Sequence, residues 1–183
     1  MDHTAAISEG YCLRRLRTRD AAEFQQLRLA AIAEAPEAFG TSLEEERAKN
    51  VRTYQRDLAR RGKNHHDFIL GAYHPSLDGA LIGVVGFFQH KKKKTRHKGL
   101  FWGMYVVPEH RRVGLGRALI AEAMSECRAI SELEMLQISV VTSNPGAQAL
   151  YEAAGFETYG CEQQAFKLAG QYHDVVHMSY SLI

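Results

Sequence analysis

Met104-Tyr-Val-Val-Pro-Glu-His-Arg-Arg-Val-Gly-Leu-Gly-Arg-Ala-Leu-Ile120 is the stretch on which the fold turns. Phe101 to Val107 is apolar and rich in β-branched and aromatic side chains, which suits a buried strand. Pro108 brings no N–H and stops the ladder. After Arg111-Arg112, Gly114 and Gly116 let the backbone turn tightly and approach a ligand with no Cβ in between. Leu115, Leu119, Ile120, Ala123, Met124 and Cys127 then fall near one side of a helix running from Gly114 to about Ser131. A helix start behind a glycine loop offers unpaired N–H groups and the positive end of a dipole. Arg111, Arg112 and Arg117 add full charges, so the stretch reads as a pyrophosphate cradle. It is not a P-loop, because no Lys-Ser/Thr follows the second glycine. It is not a dinucleotide fingerprint either, because Leu119 stands where the third glycine would fall. Gly-x-Gly at such a junction is often a plain turn, so the reading needs a second signal.

That signal is Val140-Val-Thr-Ser-Asn-Pro-Gly-Ala-Gln-Ala-Leu-Tyr151, followed by Glu-Ala-Ala-Gly-Phe156. It is another strand running into a helix, with Asn144 as N-cap, Pro145 at the first helical position and Gly155 as the stop. Together, Arg111-x-x-Gly-x-Gly116 and Asn144-x-x-Ala-x-x-Leu-Tyr151-x-x-x-Gly-Phe156 closely resemble the two signatures of the GNAT superfamily of acyl-CoA N-acyltransferases. The resemblance is strong over residues 100–156 and looser over 165–178.

The resemblance implies a GNAT fold: an α/β (α+β mixed-sheet) arrangement in the order β-α-α-β-β-β-α-β-α-β-β with splayed central strands. It implies a single N-acetyltransferase domain over residues 1–183, with residues 1–10 as a loose lead-in. It implies acetyl-CoA as cofactor. The pyrophosphate would lie on the backbone amides of Arg111, Arg112, Val113, Gly114, Leu115, Gly116 and Arg117. The pantetheine arm would pair with the backbone of Met104, Tyr105 and Val106 like an added strand. By family position, Tyr151 is the acid for the leaving thiolate, and Asn144 either touches the cofactor or only caps its helix. The segment Pro36-Glu-Ala-Phe-Gly-Thr-Ser42 would wall the acceptor site, with Phe39, Gly40 and Ser42 as candidate substrate contacts. A homodimer is compatible with the resemblance, although no stretch marks an interface.

Composition narrows the setting. The 183 residues carry a net charge of +2, with 23 Lys and Arg against 21 Asp and Glu. Six of those basic residues crowd between Lys91 and Lys98, leaving 17 basic against 21 acidic side chains elsewhere, a balance of −4. That is no general polyanion surface. The basic run has no aromatic residue to stack on bases, so it reads as a solvated hairpin tip and not as a specific nucleic-acid site. Long-range attraction of an acidic partner or of coenzyme A remains open to it. Cys12, Cys127 and Cys161 have neither zinc-ligand nor redox spacing. No signal peptide or membrane-length apolar run is visible, and a cytoplasmic protein with no membrane association is the expectation. His173 and His177 share a face, but a third metal ligand is missing, so no metal is expected.

Along the chain, Tyr11 to Arg17 reads as a first strand. Asp20 with Glu23 forms a capping box for a helix marked by Phe24, Leu27 and Ala31 and broken by Pro36 and Gly40. Ser42 with Glu45 opens a second, charged helix ending near Gly62. Asp67 to Tyr73 and Leu81 to Phe88 read as strands around a turn at His74–Gly79. Met135 to Val141 and Phe156 to Cys161 are further strands, and the tail from Lys167 is a turn and a final strand.

Acetyl transfer to a primary amine by direct attack in a ternary complex needs a held thioester, a neutral amine and a stabilised leaving thiolate. The Tyr151 phenol, with an ordinary pKa near ~10, is protonated at neutral pH and able to donate. A lysine-like amine with a pKa of ~10.4 is neutral only about one time in a thousand at pH 7.4, a handicap of roughly 4 kcal/mol. Glu44, Glu45, Glu46 and Glu109 are candidate bases, each more readily read as a solvated surface group. The acceptor, whether a small molecule or a peptide, is not legible. A catalytically silent coenzyme A-binding regulator is the alternative reading.

Overall fold

The computed structural model describes residues 5–6, 10–74 and 79–183. The strands are β1 (Ala5–Ala6), β2 (Cys12–Arg15), β3 (Asp67–His74), β4 (Ala80–Gln89), β5 (Lys98–Val106), β6 (Met135–Val141), β7 (Glu157–Leu168) and β8 (Gln171–Ser181). The α-helices are α1 (Ala21–Glu34), α2 (Leu43–Arg47), α3 (Val51–Arg61), α4 (Leu115–Arg128) and α5 (Pro145–Ala153). Single 3₁₀ turns cover Thr18–Asp20, Pro36–Ala38 and Pro108–His110. The strands form one mixed sheet in the order β1-β2-β3-β4-β5-β6-β8-β7, of which β1 is a two-residue edge. Most of the expected lead-in, and most of the turn between β3 and β4, lie outside the described residues.

Two apolar clusters cover the two faces of the sheet. On one face α4 and α5 bury Leu115, Leu119, Ile120, Ala123, Met124, Cys127 and Tyr151 against Phe87, Phe101, Leu136 and Ile138. The α4 stripe is the one its sequence spacing predicts, and each fully buried Leu or Ile contributes about 1.5–3 kcal/mol. On the other face, Phe24 and Leu27 of α1 and Tyr54 and Leu58 of α3 pack on Ile69, Val84 and Trp102.

Three expectations need correction. The second helix is two helices: Ser42 caps α2 in a capping box with Glu45, but the chain breaks after it, and Asn50 caps α3 by accepting from Thr53 N at 3.1 Å. The Asp20–Glu23 box does not form. The Asp20 carboxylate turns back to Arg14, at 2.8 Å from each guanidinium nitrogen, and to Arg17 N at 2.6 Å. Finally, the strand after Phe156 does not stop at Cys161 but runs to Leu168 as half of a long β7–β8 hairpin.

The feature that positions the site is a parting of strands. β5 and β6 are parallel and pair only at Lys98↔Met135, Gly99↔Leu136 and Leu100↔Gln137. Beyond that β5 stays on β4, while β6 follows β8 as far as Val141↔Val175. A bulge drives the divergence. Between Val84↔Tyr105 and Gly86↔Trp102, the single residue Val85 faces both Gly103 and Met104. Gly103 has φ +60, and a Cβ there would lie 3.0 Å from Arg28 Nη1, so the bend asks for glycine.

Candidate active site

The parted strands leave a cavity through the sheet. Phe101, Trp102, Gly103 and Met104 line it from β5, and Ile138, Ser139, Val140 and Val141 from β6. Asn144, Ala147 and Tyr151 close it on the α5 side, and Ala38 and Phe39 on the α1 side. The backbone beside it has groups to offer. Val107 N donates to Ile82 O at 2.9 Å, so two residues back Tyr105 also turns its amide toward β4. The alternate residue, Val106, faces the gap, where its carbonyl accepts from Arg111 Nε at 2.8 Å.

At the end of β5 the loop is shaped for an anion. Arg112 (φ +63) and Gly114 (φ +88) are both left-handed, which turns successive N–H groups to one side. Ala118 is the first residue of α4 whose amide finds a carbonyl, donating to Gly114 O at 3.0 Å. Among the described residues, no protein acceptor takes the amides of residues 112–117. Gly116 has no packing reason to be glycine: a Cβ there would make ordinary 3.4 Å contacts with Leu150 and Met104. The side chains of Arg112 and Arg117 are exposed and unpaired among the described residues.

Arg111 is committed elsewhere. Its amide donates to Pro108 O, and its guanidinium grips Glu34 with two bonds of 2.6 and 3.0 Å. Glu34 also accepts from the Tyr105 hydroxyl at 2.6 Å. The Arg111 and Tyr105 hydrogen bonds hold the Glu34 carboxyl below its ordinary range, and burial with donation to Glu34 pushes the Tyr105 phenol up to about 12. This cluster ties the end of α1 to the end of β5.

Tyr151 is buried in the cavity wall, and its hydroxyl lies 3.6 Å from Met104 Sδ. Burial pushes its pKa up, so the phenol holds its proton at any physiological pH. Asn144 caps α5, accepting from Ala147 N at 3.0 Å, while lining the cavity.

A model of the acetyltransferase (GNAT) family matches residues 26–156 of the sequence. The chain belongs to the GNAT family. A spermidine N(1)-acetyltransferase from Vibrio cholerae is 33% identical over 102 residues, which is 56% of this chain and 59% of that relative's length. A GNAT-family acetyltransferase from Streptococcus pneumoniae superposes with a TM-score of 0.83 at 24% identity, covering 94% of this chain and 99% of its own. A putative acetyltransferase from Salmonella typhimurium, solved with its cofactor acetyl-CoA, gives 0.80 at 19% identity over 94% of each chain. At such identities the two solved structures speak for the fold alone.

Within this GNAT frame the candidate acceptor residues separate. Phe39 lines the cavity, Gly40 sits near Phe166 of β7, and Ser42 spends its hydroxyl capping α2. The candidate bases are engaged or remote. Glu45 completes the α2 capping box, and Glu44 and Glu109 are exposed away from the cavity lining. Glu46 is 1% exposed and held by Arg28, Lys49 and Tyr54. Burial would raise its pKa, but the Lys49 and Tyr54 hydrogen bonds and the Arg28 charge outweigh that and lower it. Sequence reasoning passed over Ser139 and Glu162 and weighed His177 only as a metal ligand; the three form one hydrogen-bonded chain that starts at Ser139 in the cavity lining. Gln137 and Ser139, two polar residues at period two inside the otherwise apolar run Met135–Val141, were the available signal. Among the described residues, no three His, Cys, Asp or Glu side chains are placed to share a metal, and no helix is long and apolar enough to cross a membrane.

Proposed function

We propose that this chain is an N-acetyltransferase that carries an acetyl group from acetyl-CoA to a primary amine by direct attack in a ternary complex. The observation that carries the reading is the gap between β5 and β6, ended by amides of residues 112–117 that no acceptor among the described residues occupies. A diphosphate fits that end: aligned amides, a helix start and the free Arg112 and Arg117 all favour negative charge. The bound cofactor supplies the thioester. Val106, and Met104 in the bulge, offer backbone groups to its arm. Arg111 acts as a strut that holds the loop through Glu34 and Val106 O, not as a phosphate ligand.

Tyr151 keeps a proton on its phenol oxygen inside the cavity, ready for a leaving thiolate. Phe39 and Trp102 stand on the acceptor side of the same cavity. The spermidine acetyltransferase relative places polyamines among the first amines to try. The test joins a calorimetric titration with acetyl-CoA to a free-thiol assay over polyamines, amino acids and peptides. Saturable binding with amine-dependent thiol release is expected. Binding without release from any amine would leave the silent regulator, and absence of binding would remove the cradle.

A further inference from the structure

A chain of three side chains for which acetyl transfer has a use starts in the cavity lining and runs outward across the sheet. Ser139 on β6 lines the cavity, and its Oγ lies 2.8 Å from His177 Nδ1 on β8. On the far side of the ring, His177 Nε2 lies 3.3 Å from Glu162 Oε2 on β7. β6 and β8 set Ser139 directly opposite His177 in register, and β7 lies beyond, so adjacent strands place all three. The ring is also held from its face. Tyr159 stacks on it with centroids 6.0 Å apart, and Gln137 fixes Tyr159 by donating to its hydroxyl at 3.0 Å. Among the described residues, Ser139, Glu162 and Tyr159 are the polar or titratable groups set against His177 from neighbouring strands.

The order of partners fits one tautomer. An ionised carboxylate only accepts, so the neutral ring donates Nε2–H to Glu162, and Nδ1 accepts from the Ser139 hydroxyl. The Ser139 oxygen then has lone pairs free toward the cavity.

We infer that Ser139, His177 and Glu162 form the proton relay that neutralises the acceptor amine, an inference that rests on the acetyltransferase reading above. An ammonium group reaching Ser139 Oγ passes one N–H proton to that oxygen while the hydroxyl proton moves to His177 Nδ1. The nitrogen keeps the electron pair, serine is regenerated, and the imidazolium stands beside the Glu162 carboxylate. Ser139 is the catalytic contact, and His177 and Glu162 act through it. The same cavity has the Tyr151 phenol on its other side, so acid and base face one another through the parted sheet. This also explains why no glutamate on α2 is needed as base.

Two measurements on the full chain test the relay. ¹⁵N NMR of the imidazoles, with His177 assigned by its loss in His177→Gln, should show the Nε2–H tautomer at pH 8 and a shifted Nδ1 resonance in Ser139→Ala. A proton on Nδ1 at that pH overturns the proposal. In pH profiles of kcat/KM for the best amine of the screen, His177→Gln should lose about 100-fold, the lower end for a general base, with acetyl-CoA affinity unchanged. Glu162→Gln should move the acid limb to lower pH, because the imidazolium loses its counter-charge; a merely structural role would leave the limb in place. Equal rates and an unmoved limb in His177→Gln would sink the relay alone, whereas a wild-type chain that acetylates no amine would sink the acetyltransferase reading together with it.

Discussion

Tyr151 belongs to the core, and under the proposed function it also serves the chemistry. Its ring packs edge-on to Phe156 with centroids 6.2 Å apart, while its hydroxyl meets the Met104 sulfur. Tyr151→Phe keeps the packing and removes the proton, so kcat should fall about 100-fold with acetyl-CoA affinity intact. Equal turnover in the two proteins would make Tyr151 a packing residue only. Glu46 makes the opposite case, a carboxylate whose work is structural. Removing it leaves Arg28, with a side chain 9% exposed, without its buried counter-charge, and Glu46→Ala should cost about 3–5 kcal/mol by urea unfolding. Its sign with pH follows from its lowered pKa. The stabilisation is fully present above the unfolded carboxylate value and is lost as pH falls through the lower folded value. Wild type should therefore lose stability on acidification over that window, and Glu46→Gln should lose less of its remaining stability there. Identical acid profiles would show that the ion pair contributes nothing.

At the scale of elements, the cradle depends on α4 starting where it does. Gly116→Trp puts an indole over the free amides, while the first carbon of the side chain meets only side-chain ends, so the fold should survive. Acetyl-CoA binding by calorimetry should vanish, while Gly116→Ala should weaken it far less; unchanged affinity in the tryptophan variant would refute the cradle. Such local features are legible in the sequence because a few adjacent residues determine them. Pro108, Gly114 and the Asn144-Pro145 cap each announce a boundary, and β6 begins and ends where its apolar run does. Features set by distant partners were not legible. Asp20 is a natural cap, but Arg14 six residues away competes for its carboxylate and wins. Leu43, Val51, Tyr54 and Leu58 keep nearly one helical phase, which hid the break at Ala48-Lys49-Asn50. The polar run Glu162–Gln164 lacks a strand's apolar alternation, and it bulges out with Gln164 at φ +55 while β8 pairs with Glu162 before it and Phe166 after it. The Ser139–His177–Glu162 chain joins three strands across 38 residues of sequence, beyond the reach of any motif.

For the molecule as a whole, the basic run poses a question of range. Lys91–Lys94 stand exposed between β4 and β5, at the end where β5 is still paired with β6. The cradle follows the opposite end of β5. Nine residues at about 3.3 Å each separate the two by roughly 30 Å. At physiological ionic strength the screening length is about 8 Å, so the run cannot touch or appreciably attract a diphosphate held at residues 112–117. Replacing Lys91, Lys92, Lys93 and Lys94 together by Gln should therefore leave the KM for acetyl-CoA within about twofold at 0.15 M salt. At 0.01 M salt the screening length grows to about 30 Å, and the same variant should associate more slowly with acetyl-CoA in stopped flow, because steering then spans the molecule. A tenfold rise in KM at 0.15 M would mean that these lysines contact the cofactor, which would require the nucleotide to lie along β5 in the opposite direction from the one argued here.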